Sequence, residues 1–170
     1  IQGYANHNEN FIARGAAEQT YLFYGPMMMG MQRRGTVQAI GANCTFRREA
    51  LDDIGGHATG LCEDMHTSMQ LHAKKWKSVY VPELLTRGRV PASLSAFYQQ
   101  QLKWSRGCFE LLFEVYPKLF SKLNWKQRFH YLLTPLYFLY GVIGLIDLGV
   151  PIISLFSFHV PLFIELEEFI

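Results

Sequence analysis

The sequence predicts a mixed α/β part, rich in helix, that leads into an apolar helix long enough to cross a membrane. Three observations carry this. Short strand-like runs alternate with helical periodicity over the first 90 residues. A long helix with two distinct faces follows from Leu94 to Tyr116. Then Tyr131 to Ile146 runs sixteen residues without a charge, and beyond Asp147 the stretch Leu148 to Ile164 adds seventeen more.

The elements follow in order. Ile1-Gln2-Gly3-Tyr4 reads as a strand already in progress. Phe11 to Met31 is helical with a break at Gly25-Pro26, where proline lacks an N–H and crowds the preceding turn. Thr36 to Gly41 reads as a short strand. Arg47 to Ile54 forms a short helix closed by Gly55-Gly56, because glycine accepts the left-handed C-cap. In the Met65 to Trp76 helix, Met65, Met69, His72, Ala73 and Trp76 share one face, and Lys74, Lys75 and Lys77 lie away from its centre. His72 on that face reads as a core histidine with satisfied ring nitrogens. Met27-Met28-Met29 packs either in a core or at a membrane-proximal surface. Ser78 to Val81 is strand-like and ends at Pro82. Along the long helix, Leu94, Tyr98, Leu102, Ser105, Phe109 and Leu112 cluster on one side, with Gln100, Lys103, Trp104 and Gly107 opposite. Tryptophan is unexpected on a solvated face. Gly107 costs the helix about 1 kcal/mol relative to Ala, and it leaves room for a ligand to approach.

Composition narrows the class. A length of 170 residues suits one domain with its own core, without disulfides or a structural metal. With 49% apolar and 18% charged residues the chain is not disordered. Three cysteines and no C-x-x-C pair argue against a disulfide framework or zinc module and for a reducing compartment. All 16 Lys and Arg precede Tyr131, with 10 of the 14 acidic residues, so residues 1–130 carry +6 and residues 131–170 carry −4. No basic run exceeds two residues, so the charge suits a phosphate-bearing ligand or an anionic membrane face as well as a nucleic acid. The chain opens on Ile1 and stops at Phe169-Ile170 without a cap signal, which reads as a piece of a longer protein.

A bilayer core needs about 20 apolar residues in a helix. Tyr131 to Phe156 supplies them, with Asp147 inside; the alternative is a buried hairpin in a soluble core, broken at Pro151. Lys118, Lys122, Lys126 and Arg128 crowd the near side and only Glu165, Glu167 and Glu168 the far side, which puts residues 1–130 in the cytoplasm. Asp147 faces protein or a water-filled cavity, as a channel-lining residue would, or else lies near the headgroups.

Two constellations could carry chemistry. Glu63-Asp64 opens a helix, so Asp64 reads as an N-cap or as a carboxylate base at the mouth of a site, and the two readings are compatible. Gln100, Lys103 and Trp104 combine a hydrogen-bonding amide, a cation for phosphate and a flat apolar ring on which a pyranose can stack. The other reading of that helix is an interface helix resting on a membrane. Cys62 and His66 share a helix face, but two ligands do not close a metal site. No P-loop, G-x-S-x-G or G-x-G-x-x-G is present.

Three blocks in order resemble the processive glycosyltransferases of family 2, specifically bacterial cellulose synthase catalytic subunits. They are Ile40-Gly41-Ala42-Asn43-Cys44 with Phe46-Arg47-Arg48-Glu49-Ala50-Leu51 and Ile54-Gly55-Gly56; Cys62-Glu63-Asp64-Met65-His66-Thr67, similar to a T-E-D block; and Gln100-Gln101-Leu102-Lys103-Trp104, similar to Q-x-x-R-W. The resemblance implies the C-terminal part of a GT-A nucleotide-sugar domain (residues 1–92), amphipathic interface helices (93–130) and a transmembrane segment (131–170). It implies an inverting transfer from a UDP-sugar, UDP-glucose foremost, to a growing β-glycan such as cellulose. Asp64 would be the general base. Trp104 would stack the acceptor sugar, Glu63, Gln100 and Lys103 would lie near donor diphosphate and acceptor, and Asn43 and Cys44 would line the acceptor end of the pocket. Mg²⁺ or Mn²⁺ would bridge the diphosphate on ligands upstream of residue 1, with no metal ligand among residues 1–170. The implied partners are the donor, the polysaccharide, the bilayer of a plasma or bacterial inner membrane, and other synthase subunits, but no nucleic acid. Lys103 stands where the family has Arg, and Cys62 where it has Thr. Alternative functions are a single-transfer enzyme acting on a lipid, or an inactive nucleotide-sugar-binding assembly subunit. Residues 1–170 alone are expected to be inactive.

Overall fold

A computed structural model describes residues 2–41 and 43–157. Ile1, Ala42, the end of the apolar tract from Phe158 to Ile164, and Glu165, Glu167 and Glu168 lie outside the described residues. Two compact units are present, residues 1–135 and 136–170.

The first unit is mostly helical. Strand β1 (Gln2–Tyr4) pairs in parallel with β2 (Thr86–Gly88), Gly3 opposite Arg87. Asn6 extends the pairing with a side chain: Oδ1 accepts from Val90 N at 2.9 Å and Nδ2 donates to Val90 O at 3.0 Å. Helix α1 (Phe11–Leu22) starts at Asn10, whose Oδ1 accepts from Ala13 N at 2.9 Å. The expected break at Gly25-Pro26 is a single π-helical turn, Phe23–Met27, which absorbs the proline and passes into α2 (Met28–Arg34). Helix α3 (Arg48–Ile54) ends on Gly55 at φ 81°, the left-handed cap its sequence predicts. Helix α4 (Glu63–Ala73) begins two residues earlier than the periodicity suggested.

Two expected strands are not strands. Thr36, Val37 and Gln38 are buried as a strand would be, yet no strand forms there or at Ser78–Val81. Side chains take the backbone donors instead: Ser68 Oγ accepts from Ala39 N, and Gln32 Oε1 accepts from Tyr80 N. Once those donors are satisfied, a ladder has less to gain.

The core lies between α1, α2 and the segments beside them. Tyr4, Ala13, Ala16, Ala17, Tyr24 and Val90 form one cluster; Met28, Met31 and Val37 form another, and Ile40 packs against both. The Met27–Met29 run therefore splits, Met28 in the core and its two neighbours exposed.

Helix α5 (Leu94–Glu110) is capped by Ser93 and continues through a π turn, Leu111–Val115, into α6 (Tyr116–Leu119). Its orientation corrects the expectation. Leu94, Tyr98 and Leu102 are exposed, while Gly107, Cys108 and Leu111 are buried. Only the C-terminal end of α5 is turned inward, at Gly107 and Cys108, where a side chain of no volume lets the helix approach the Cys62 turn, while Lys103 and Trp104 on the Gly107 face stay exposed. Helix α7 (Trp125–Leu133) carries a reciprocal capping box between Asn124 and Gln127.

The second unit contains α8 (Tyr140–Ser157), with no buried residue, Pro151 inside it and Asp147 exposed. The helical run Trp125–Ser157 is long and apolar enough to cross a membrane.

Candidate active site

Asp64 is not the N-cap. Cys62 holds that position without a side-chain bond, and Asp64 is the second residue of α4. Its carboxylate instead reaches across to another segment. Oδ2 accepts from Gly41 N at 3.0 Å and Oδ1 from Met65 N at 2.7 Å. The group is half-buried, Glu63 beside it is exposed, and a Cβ on Gly41 would lie 3.6 Å from Glu63 Oε1 and 3.7 Å from Asp64 Oδ2. An alanine side chain at position 41 would therefore meet both carboxylates at ordinary van der Waals distance. Two backbone N–H groups fix the direction of this carboxylate, and its further lone pairs can accept from a hydroxyl brought against it.

Two hydroxyls behind this turn hold it. Thr67 Oγ1 donates to Glu63 O at 2.6 Å and accepts from Ala58 N at 3.1 Å. Ser68 Oγ donates to Asp64 O at 2.8 Å and accepts from Ala39 N at 2.6 Å. Thr67 falls within the Cys62–Thr67 block but carried no role there, and Ser68 does not stand out in the sequence. The signal available was a Thr-Ser pair placed four residues after Glu63-Asp64, where a helical hydroxyl bonds back to the i−4 carbonyl.

Cys44 is exposed, and its thiol is raised first by partial desolvation and then by Asp64. Asn43 turns the other way, its Oδ1 accepting from Thr86 Oγ1 at 2.6 Å. Gln100 is half-buried, Lys103 exposed, and Trp104 exposed with its carbonyl accepting from Cys62 Sγ at 3.6 Å. That contact joins the Trp104 turn of α5 to the residue that precedes Glu63. The space on the Cβ side of Gly107 is taken by the protein itself: a Cβ there would lie 2.5 Å from Cys62 Sγ and 3.0 Å from Leu61 Cβ. Cys62 and Cys108 are both buried, and the Cys108 thiol is pushed up by its hydrogen bond to Cys62 and by burial. A cleft of about 230 Å³ on this side is lined by Thr59, Cys62, His66, Gly107, Glu110 and Glu114, without Asp64. Among the described residues no three His, Cys, Asp or Glu side chains converge to hold a metal ion.

The chain belongs to the Glycosyl transferase family group 2, whose model matches residues 1–166. Within it, the chain is similar to cellulose synthase catalytic subunits. It is 35% identical over 134 residues to one such UDP-forming subunit from Dictyostelium discoideum, covering 73% of this chain and 13% of the relative. It is 31% identical over 140 residues to the UDP-forming catalytic subunit of Pseudomonas fluorescens, covering 82% and 19%. It is 31% identical over 136 residues to the UDP-forming cellulose synthase 1 catalytic subunit of Komagataeibacter xylinus, covering 79% and 18%. The chain thus spans less than a fifth of the length of these relatives.

Proposed function

We propose that this chain carries the acceptor-side part of a GT-A, membrane-bound, inverting glycosyltransferase that adds a sugar from a UDP-sugar, UDP-glucose foremost, to a growing β-glycan. The observation that carries this reading is the Asp64 carboxylate, oriented by Gly41 and Met65 N–H groups on a turn tied through Cys62 to Trp104. The family and its cellulose synthase members support the donor and the product class.

In this reading the acceptor sugar stacks on Trp104 and presents a hydroxyl to Asp64. The carboxylate takes the hydroxyl proton as the oxygen bonds to the anomeric carbon. The bond from that carbon to the UDP oxygen breaks on the opposite face, and UDP carries the electron pair away. Lys103 and Gln100 favour the diphosphate by charge and hydrogen bonding. The divalent cation, Mg²⁺ or Mn²⁺, has no fitting ligand set among the described residues. The apolar helical run supports an integral membrane location with residues 1–130 cytoplasmic.

The test offers membranes holding the full-length protein UDP-glucose, UDP-N-acetylglucosamine and UDP-glucuronate separately, with Mg²⁺. Insoluble polymer from one donor is expected, and Asp64→Asn should lower its rate by about 10²–10⁴-fold while the protein stays folded. Near-normal turnover in that variant would remove the base assignment. Short products on lipid would replace polymerisation with single transfer.

A further inference from the structure

We propose that Ser68 is a positioning residue for the Asp64 carboxylate: its buried hydroxyl ties the Ala39–Gly41 segment to the first turn of α4 and so sets the Gly41 N–H against Asp64 Oδ2. The proposal rests on the reading of Asp64 as the base.

Ser68 is 1% exposed, so water does not share its bonds. A serine hydroxyl has one hydrogen to give and lone pairs to receive. Here it gives to Asp64 O at 2.8 Å and receives from Ala39 N at 2.6 Å. Two residues beyond Ala39, Gly41 N donates to Asp64 Oδ2 at 3.0 Å. Ile40 between them packs against both core clusters, and its carbonyl accepts from Asn43 N at 2.9 Å, so the segment turns there. The carboxylate is therefore held at one oxygen by its own helix and at the other by the segment that Ser68 fixes. Thr67 provides a contrast inside the same turn. Its hydroxyl makes the same pair of bonds, but to Ala58 and Glu63, and so anchors α4 without touching the segment that reaches Asp64.

Alanine at position 68 removes both bonds where no solvent can replace them, and threonine keeps the hydroxyl. The experiment compares Ser68→Ala and Ser68→Thr in the full-length membrane protein by sugar transfer and by hydrogen exchange. For Ser68→Ala, kcat should fall about 10–100-fold with donor KM within about twofold, because a catalytic group displaced by about 1 Å loses that much. Exchange in a peptide spanning residues 36–41 should rise about tenfold while residues 65–72 stay protected. Ser68→Thr should stay within about threefold of wild type in kcat. Full turnover in Ser68→Ala overturns the proposal. So does equal loss in Ser68→Ala and Ser68→Thr, or unchanged protection of residues 36–41 in Ser68→Ala. If the wild-type protein transfers no sugar, the functional reading fails by itself, and the exchange result alone decides whether Ser68 holds the Ala39–Gly41 segment against α4.

Discussion

His72 Nδ1 lies 2.8 Å from the Tyr131 hydroxyl, and Nε2 lies 3.1 Å from Ser78 Oγ. The last turn of the helix that bears Asp64 is thereby fixed to α7. A neutral imidazole has one donor and one acceptor, and each partner is a hydroxyl that can play either part, so both nitrogens are satisfied in either tautomer. Burial lowers the His72 pKa to about 4, and the neighbouring His130 adds to it. The ring is neutral at physiological pH.

The pH dependence follows. An unfolded His titrates near ~6.5. Between that value and about 4 the unfolded chain binds a proton that the folded one refuses. Stability from this site is complete above the unfolded pKa and is lost as pH falls toward the folded one, by on the order of 3 kcal/mol. His72→Gln keeps hydrogen-bonding groups without titrating. Thermal unfolding of the full-length protein, followed from about pH 7 down to about pH 4, should slope less steeply in that variant. Equal slopes would place the proton uptake elsewhere.

Gly107→Ala should destabilise although alanine is the better helix former. The helix gain is about 1 kcal/mol. Against it, the new Cβ would meet Cys62 Sγ at 2.5 Å, Leu61 Cβ at 3.0 Å and Cys62 Cβ at 3.1 Å. Overpacking of this kind costs about 1–3 kcal/mol. The Cys62→Ala/Gly107→Ala pair should recover part of the loss, since it removes the nearest atom but leaves the Cβ contacts. A double variant no better than the single one would show that the Leu61 and Cys62 Cβ atoms, not the sulfur, are the obstacle. Denaturant midpoints decide between them.

What the sequence made legible was local. The left-handed Gly55, the helix from Leu94 and the interruption at Pro26 each follow from residues adjacent in the chain. The strand expected at Thr36–Gly41 failed because its donors found partners 29 and 23 residues away, in Ser68 and Asp64. β2 was missed because Thr-Arg-Gly has no apolar alternation, and its pairing with β1 spans 84 positions, Gly3 to Arg87. The inward face of α5 was misjudged because periodicity finds an apolar stripe without saying what it meets. Asp64 could be singled out by pattern; that Gly41 would be its partner could not.

Asn6 offers a test of the sheet end. Its side chain both accepts from and donates to Val90, at 2.9 and 3.0 Å, in a buried position. Asn6→Ala should cost about 1–3 kcal/mol, the usual loss when buried backbone groups are left unpaired. Asn6→Asp is nearly the same shape but sets a carboxylate oxygen against the Val90 carbonyl. It should be the more damaging of the two at neutral pH. Denaturant midpoints of the two variants compare them. A milder effect of Asp than of Ala would mean that the Nδ2 bond contributes little.

Lys103 is the departure from the family pattern that most directly bears on the donor. It is exposed on the α5 turn whose next residue, Trp104, is bound through its carbonyl to Cys62. A lysine is a point charge, whereas an arginine presents two parallel N–H groups to a diphosphate. If Lys103 meets the donor diphosphate, Lys103→Arg should raise kcat/KM for the UDP-sugar by about 3–10-fold, and Lys103→Gln should lower it by at least about tenfold. The loss in Lys103→Gln should shrink as salt rises, because screening weakens the interaction in the wild-type protein as well. A Lys103→Gln variant with unchanged kcat/KM would remove the side chain from the donor site. In that case Lys103 would serve only as a solvated charge beside Trp104.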